Sequence, residues 1–251
     1  MLGKDLPVME HIGELRKRVL WIALFFVLAM IVGLVVGIPI INYLTSVEPV
    51  KDLALNAFSP WDGIRIYMQV AVYVSVVISL PFILFQVWLF VKPGLRKEEQ
   101  KASLLYIPFA VLLFLIGLSF AYFLVFPMAF YFTGVLTRNL GLIQTYGLAQ
   151  YFTFMFNILL PISLIFELPI VVMFLTKLRI LNPTRLNRMR RYAYMVLLII
   201  SALITPPDLI SAIIVSIPMI ILYEISLLLS RSIYRKQQAA DNAWEVEFGE
   251  N

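Results

Sequence analysis

A single carboxylate interrupts a long apolar stretch of this sequence. Glu167 is the only charged residue between Tyr151 and Thr176, and Pro169 follows it two positions later. It precedes Lys177 by ten residues, or about 15 Å along a straight helix. A charge at that depth of a bilayer costs roughly 2.5–3.5 kcal/mol, so such residues usually face a cavity or a partner. We therefore interpret Glu167 as functional, with a protonated structural glutamate as the alternative.

Other carboxylates lie in polar segments. Glu14 belongs to "LPVMEHIGELRKRVL" (6–20), where apolar residues recur at helical spacing, and Arg18 follows at i+4. Glu98 and Glu99 lie in "KPGLRKEEQK" (92–101) among four cations. In one interpretation, the charged residues of both segments are simply exposed to solvent. Both segments also fit carboxylates that bind a partner's arginines through two-pronged ion pairs, which lysine reproduces poorly.

Two more acidic residues lie near the ends of apolar runs. Glu224, in "ILYEISLLLS", is one to two turns from Arg231 and could extend to the interface or form an ion pair there. Asp208, in "TPPD", could cap the last helix, because aspartate accepts first-turn N–H groups. Prolines inside the runs predict kinks: Pro81, Pro161, Pro169 and Pro218.

Composition assigns these residues to a membrane protein. Of 251 residues, 61% are hydrophobic and 14% are charged, well below the charged fraction of soluble domains. Zero cysteines and one histidine (His11) argue against thiol chemistry and against a Cys- or His-based metal site. The positive residues fall between apolar runs, which indicates membrane topology and not nucleic-acid binding. We predict no metal, no cofactor and no enzymatic activity.

The apolar runs predict an all-α polytopic protein with one membrane domain, 1–251, and six transmembrane helices. An amphipathic helix (about 6–18) precedes the spans, a tail (231–251) follows them, and the spans cover about 19–41, 66–90, 104–126, 151–176, 192–204 and 209–230. The fifth run has 13 residues and reaches only about 20 Å, against about 30 Å of hydrocarbon. We expect a short fifth helix in a hairpin with the sixth.

The distribution of charge predicts the orientation. All but three of the 20 Lys and Arg residues lie in the two termini or in the second and fourth loops; the three exceptions are Lys51, Arg65 and Arg138. By the positive-inside rule both termini are cytoplasmic. The loops 42–65 and 127–150 are then external, and their apolar residues predict short helices or caps.

Five stretches together resemble one family. The sequence is similar to TatC, the multi-spanning receptor of the twin-arginine protein translocase, over about residues 9–234, through "HIGELRKRV", "LPFILFQVWLFVKPGLRKEEQK", "FAYFLVFPMAF", "FELPIVV" and "TPPDLISAIIVSIPMIILYEISL". The resemblance implies a cupped bundle in the cytoplasmic membrane. It also implies binding of twin-arginine signal peptides of folded proteins, recruitment of TatA-type single-span proteins with TatB-type proteins as further candidates, self-association, and transport driven by the proton-motive force.

The resemblance also implies roles for single residues. Glu14 and Glu99 match the carboxylates that bind the twin arginines, with Arg16 and Phe90 in the same motifs. Glu167 matches an intramembrane carboxylate that docks a TatA-type helix. Further functional candidates lie in the matching stretches: Pro81, Asp208 and Glu224.

Some features leave alternatives open. Lys92 stands where the family often has a neutral or acidic residue, and Glu98 beside Glu99 is a second possible acceptor. A proton-coupled secondary transporter or channel for a small solute, with Glu167 as proton carrier, is the alternative function. A membrane-embedded enzyme has little support, because no cluster of catalytic or metal-binding side chains is visible.

Overall fold

The computed structural model describes residues 6–51, 55–94, 100, 103–205 and 209–248. It is almost entirely helical. The α-helices with described bounds are α1 (Leu6–Ser46), α2 (Asp62–Val91), α3 (Tyr106–Phe120), α4 (Phe126–Asn139), α5 (Leu148–Ile165), α6 (Leu168–Lys177), α7 (Pro183–Arg188), α8 (Arg190–Ile204) and α9 (Leu209–Phe248). A 3₁₀ turn (Lys92–Gly94) follows α2, and a π-helical turn (Ala121–Val125) joins α3 to α4. Two short strands, β1 (Leu55–Asn56) and β2 (Tyr146–Gly147), pair in parallel.

The six predicted spans are present as helices. Five helical segments are long and apolar enough to cross a membrane: Gly13–Ser46, Asp62–Val91, Tyr106–Asn139, Leu148–Lys177 and Ala212–Ala239. The remaining predicted span, the fifth in chain order, is α8, whose 15 residues extend only about 22 Å. The prediction of a six-helix membrane fold with a short fifth span is confirmed, whereas the orientation of the termini stays a prediction.

Several helices are longer than the apolar runs that predicted them. The amphipathic segment at 6–18 continues without a break into the first span, and α9 extends through the predicted tail to Phe248. The third span continues to Asn139, so helix occupies half of the predicted loop 127–150. Hydropathy marks where the lipid ends, but a helix ends only where its hydrogen bonding is interrupted.

The fourth predicted span is interrupted at its centre. The chain turns at Phe166 and Glu167 between α5 and α6, and Pro169 at the start of α6 has no N–H to continue the helix. Pro81, Pro161 and Pro218 instead lie inside continuous helices. Glu167 therefore precedes a ten-residue helix, and the picture of one straight helix is wrong at this point.

The described chain forms two compact units. In the first (1–111 with 136–156), α1 packs along α2. Gly33 permits this close approach, because a Cβ there would lie 3.0 Å from the Cα of Ala71. The rings of Phe25 and Phe82 stack with centroids 4.3 Å apart. The first unit is thus held by small residues and aromatic stacking between two long helices.

The second unit (112–135 with 157–251) packs around α9. That helix contacts α6, α7 and α8. The hydroxyls of Thr176 and Ser230 lie 2.8 Å apart in a buried contact between α6 and α9. Ser201 of α8 donates to the carbonyl of Ala212 at 3.0 Å, which ties the predicted hairpin together.

Candidate functional site

One guanidinium group of the first unit lies in a ring of oxygen acceptors. Nη2 of Arg18 donates to Oε1 of Glu14 at 2.6 Å and to the carbonyl of Leu89 at 3.4 Å. Nη1 donates to Oε1 of Gln86 at 3.2 Å. The predicted i,i+4 pair between Glu14 and Arg18 is therefore present, and the last turns of α2 complete it. Glu14 and α2 together form a site that binds a guanidinium group.

The site is only partly shielded from water. The side chains of Arg18 and Glu14 are 22% and 32% exposed, so an incoming ligand can reach the carboxylate. Oε2 of Glu14 makes no hydrogen bond within the described part of the chain. Gln86 is buried and holds its acceptor between the two helices. Sequence reasoning missed Gln86, although an amide inside the apolar run "FILFQVWLF" was a signal.

The start of the following loop is fixed against α2. The ammonium group of Lys92 lies 5.3 Å from the centre of the Trp88 ring, and Trp88 Nε1 donates to Ser103 Oγ at 2.9 Å. Gln100 Nε2 donates to the carbonyl of Lys92 at 3.2 Å. Lys92, noted above as a departure from the family pattern, thus packs on an aromatic ring. These contacts hold the two ends of the loop close to α2.

The other predicted residues of this site differ in what the structure shows. Arg16 is exposed on α1, and Phe90 is half-buried near the end of α2, one residue after Leu89. Glu98 and Glu99 lie outside the described residues. The structure therefore places Glu14 beside the end of α2 that carries Phe90, and the predicted contribution of Glu99 stays a prediction.

Glu167 is an isolated carboxyl group among the described residues of the second unit. It is 7% exposed, and neither of its carboxyl oxygens has a hydrogen-bond partner among the described residues. It occupies the N-cap position of α6 but makes no capping hydrogen bond. Phe166 beside it packs on Gly117, where a Cβ would lie 2.7 Å from the ring. The fold thus buries a polar group and leaves it unsatisfied, which is costly unless a partner supplies the missing bond.

Glu224 has the opposite environment. Arg190 binds it with both prongs of its guanidinium, with Nε 2.7 Å from Oε1 and Nη2 bound to Oε2, and the Tyr194 hydroxyl also donates to Oε1. The predicted ion pair therefore exists, but its partner is Arg190 and not the nearby Arg231. Arg231 instead donates to Asn187 Oδ1 at 3.1 Å. Sequence spacing missed Arg190 because it lies 34 positions away.

The structure gives little information on the remaining two candidates, Pro81 and Asp208. Pro81 is half-buried inside α2. Asp208, predicted either to cap the last helix or to act in function, lies outside the described residues. Within the described ranges no group of three or more His, Cys, Asp or Glu side chains is placed to hold a metal ion.

Comparisons with known proteins agree with the geometry. A family model described as "Sec-independent protein translocase protein (TatC)" matches residues 10–218. The Sec-independent protein translocase protein TatC of Halalkalibacterium halodurans is 45% identical over 99% of this chain and 98% of its own length. TatCy of Bacillus subtilis is also 45% identical, over 97% of this chain and 96% of its own. The solved "Crystal Structure of Twin Arginine Translocase Receptor- TatC" superposes with a TM-score of 0.75 at 28% identity, covering 89% of this chain and 99% of that one.

Proposed function

We propose that this chain, which belongs to the TatC family of the Sec-independent protein translocase, is the subunit that binds twin-arginine signal peptides. Membership makes it a multi-spanning translocase component of the bacterial cytoplasmic membrane and not an enzyme. A solved structure of the same fold is titled a twin-arginine translocase receptor.

The main support for this proposal is the environment of the Arg18 guanidinium group. A carboxylate, an amide oxygen and a backbone carbonyl surround it, which are the acceptors that a planar, five-donor cation requires. The chain's own arginine therefore occupies a site chemically suited to an arginine of a signal peptide. We expect the peptide to displace Arg18 from Glu14, which is accessible enough to exchange partners.

Two consecutive arginines need two acceptors. Glu14 would bind one, and we propose that Glu99, which lies one position before Gln100 in the sequence, would bind the other. Arg16 and Phe90 would border the site, the arginine by shaping the local field and the ring by contacting the apolar part of the peptide. By the positive-inside rule, the distribution of Lys and Arg supports a cytoplasmic position for this end of α1 and α2, the side on which signal peptides would arrive.

Glu167 would serve a later step. A carboxyl group without a partner inside the membrane can accept or donate one hydrogen bond to a polar residue of a single-span helix. We propose that a TatA-type subunit, and a TatB-type subunit where one exists, docks there. Self-association of the chain would bring several such sites together, and the proton-motive force would drive transport.

The direct test is site-specific photocrosslinking in membranes with a probe on α1 beside Glu14. Arg-Arg peptides should crosslink strongly, and Lys-Lys peptides should crosslink about tenfold less, because lysine lacks the planar fork. Glu14→Ala should weaken the Arg-Arg crosslink by a similar factor. Arg18→Gln should strengthen it severalfold by removing the competing guanidinium.

Glu48→Ala is the matched control. Glu48 is also a solvent-exposed carboxylate with a near neighbour in sequence, Lys51, at 3.1 Å, but it belongs to the predicted external side. The Glu48→Ala variant should leave crosslinking unchanged. Equal crosslinks for Arg-Arg and Lys-Lys, or a Glu14→Ala variant that behaves like Glu48→Ala, would contradict the assignment.

A further inference from the structure

A basic groove lies along α9 just after the predicted end of the sixth span. It has a volume of about 430 Å³ and is lined by Leu228, Arg231, Ser232, Arg235 and Lys236. These positions are spaced by one, three or four residues, so they share one face of the helix. The groove therefore combines three cations and a hydroxyl with an apolar side chain at its membrane end.

The charge of the groove is not neutralised by the chain as described. Arg235 and Lys236 are exposed, and neither has an ion-pair partner among the described residues. Arg231 binds the neutral amide of Asn187, which leaves its positive charge in place. Glu224, one to two turns before the groove, is already bound on both oxygens by Arg190. The groove is thus prepared for an anion from outside the protein.

An apolar stripe leads into the groove along the same helix. Ile217, Ile221, Ile225 and Leu228 are spaced by three or four residues, and their exposed fractions lie between 41% and 60%. The stripe and the groove form one continuous surface on α9, with the apolar part within the span and the cations at its end. A ligand that fills both parts has a hydrocarbon chain and an anionic group.

We infer that this surface binds an anionic glycerophospholipid, with its phosphate in the groove and its acyl chain along the stripe. Arginine forks and a serine hydroxyl supply donors for phosphate oxygens. Basic clusters next to a membrane-spanning helix attract the anionic lipids of the cytoplasmic leaflet, at a strength that grows with each cation. A free phosphate would use the groove but would leave the stripe unfilled, so the lipid is the better match.

The test is a lipid titration of the full-length protein, purified, delipidated and followed by native mass spectrometry. Phosphatidylglycerol is compared with phosphatidylcholine, and inorganic phosphate is added as a competitor. The double variant Arg235→Gln/Lys236→Gln should bind phosphatidylglycerol about 30-fold more weakly, from the usual contribution of two juxtamembrane cations. A charge-preserving variant, Arg235→Lys/Lys236→Arg, should bind like the wild type, because it changes the same two side chains and keeps the charge of the groove.

The matched control is Arg185→Gln/Arg188→Gln, which removes two exposed cations from α7, outside the groove. It should change the affinity less than about threefold, as expected for exposed charges that do not line the groove. Equal losses in the two double variants would overturn the inference in favour of a diffuse surface charge. Equal affinities for phosphatidylcholine and phosphatidylglycerol, or displacement of the lipid by inorganic phosphate at matched concentration, would overturn it as well.

Discussion

Glu167 and Glu224 are the same residue type in similar apolar segments of the second unit, yet their environments are opposite. Glu224 accepts three hydrogen bonds from Arg190 and Tyr194, and its side chain is 29% exposed. Glu167 is 7% exposed, and its carboxyl group accepts no hydrogen bond from the described residues. The hydrogen bonds of Glu224 help to stabilise the fold. The burial of Glu167 without a hydrogen bond destabilises it.

The comparison separates stability from function. Removing a carboxylate that satisfies a guanidinium leaves that cation without its acceptors, which destabilises the protein. Removing a buried carboxyl group with no partner leaves nothing unsatisfied and can even stabilise. Glu224 should therefore contribute to the stability of the fold, and Glu167 to a step that involves another molecule.

The largest expected effect is the loss of export in Glu167→Leu. Export of a twin-arginine reporter should fall by up to about tenfold, the upper range for one membrane-buried hydrogen bond, while the thermal unfolding midpoint stays the same or rises. Glu167→Gln, which keeps hydrogen-bonding capacity, should retain more export. Asn157→Leu, an exposed polar position in the same predicted span, is the control. A Leu variant that exports as well as the Gln variant would refute polar docking at Glu167.

Glu224→Leu should have the reverse profile. Its thermal unfolding midpoint in detergent should fall by roughly 4–8 °C, because Arg190 and Tyr194 lose their acceptor. The double variant Glu224→Gln/Arg190→Gln should lose less than the sum of its two single variants, since the partners are coupled. If Glu224→Leu unfolds no earlier than Glu167→Leu, the contrast between the two carboxylates does not hold.

A smaller effect is expected from a substitution at Gly117, which contacts Phe166, the residue before Glu167. A Cβ at Gly117 would lie 2.7 Å from Cγ of Phe166, so Gly117→Ala must displace the ring beside the carboxyl group. We expect a loss of about 1 kcal/mol in unfolding free energy, typical of mild overpacking, together with a partial loss of export. Gly63→Ala, where nothing lies within 4 Å of the new Cβ, should leave export unchanged. Equal behaviour of the two glycine variants would mean that Phe166 does not position Glu167.

The helical segments could be read from the sequence because each depends on its own residues. Hydropathy over about 20 positions predicts a span, and the short run before "TPPD" predicted the 15-residue helix α8. Proline and charge patterns are equally local. The same reasoning failed at helix ends, where α1, α4 and α9 continue past the apolar runs, since a polar sequence can remain helical outside lipid.

The features of the candidate sites were likewise predictable only where they depend on residues close together in the sequence. The sequence by itself determined that the chain spans a membrane six times, that Glu167 lies inside a span, and that Glu14 can pair with Arg18 four residues later. Only the tertiary structure decided that Arg18 also reaches Gln86, 68 positions away, that Glu224 is held by Arg190, and that Glu167 has no partner among the described residues. The physical reason is that hydropathy and helical spacing belong to one segment, whereas a hydrogen bond depends on a distance of about 3 Å between groups that packing brings together.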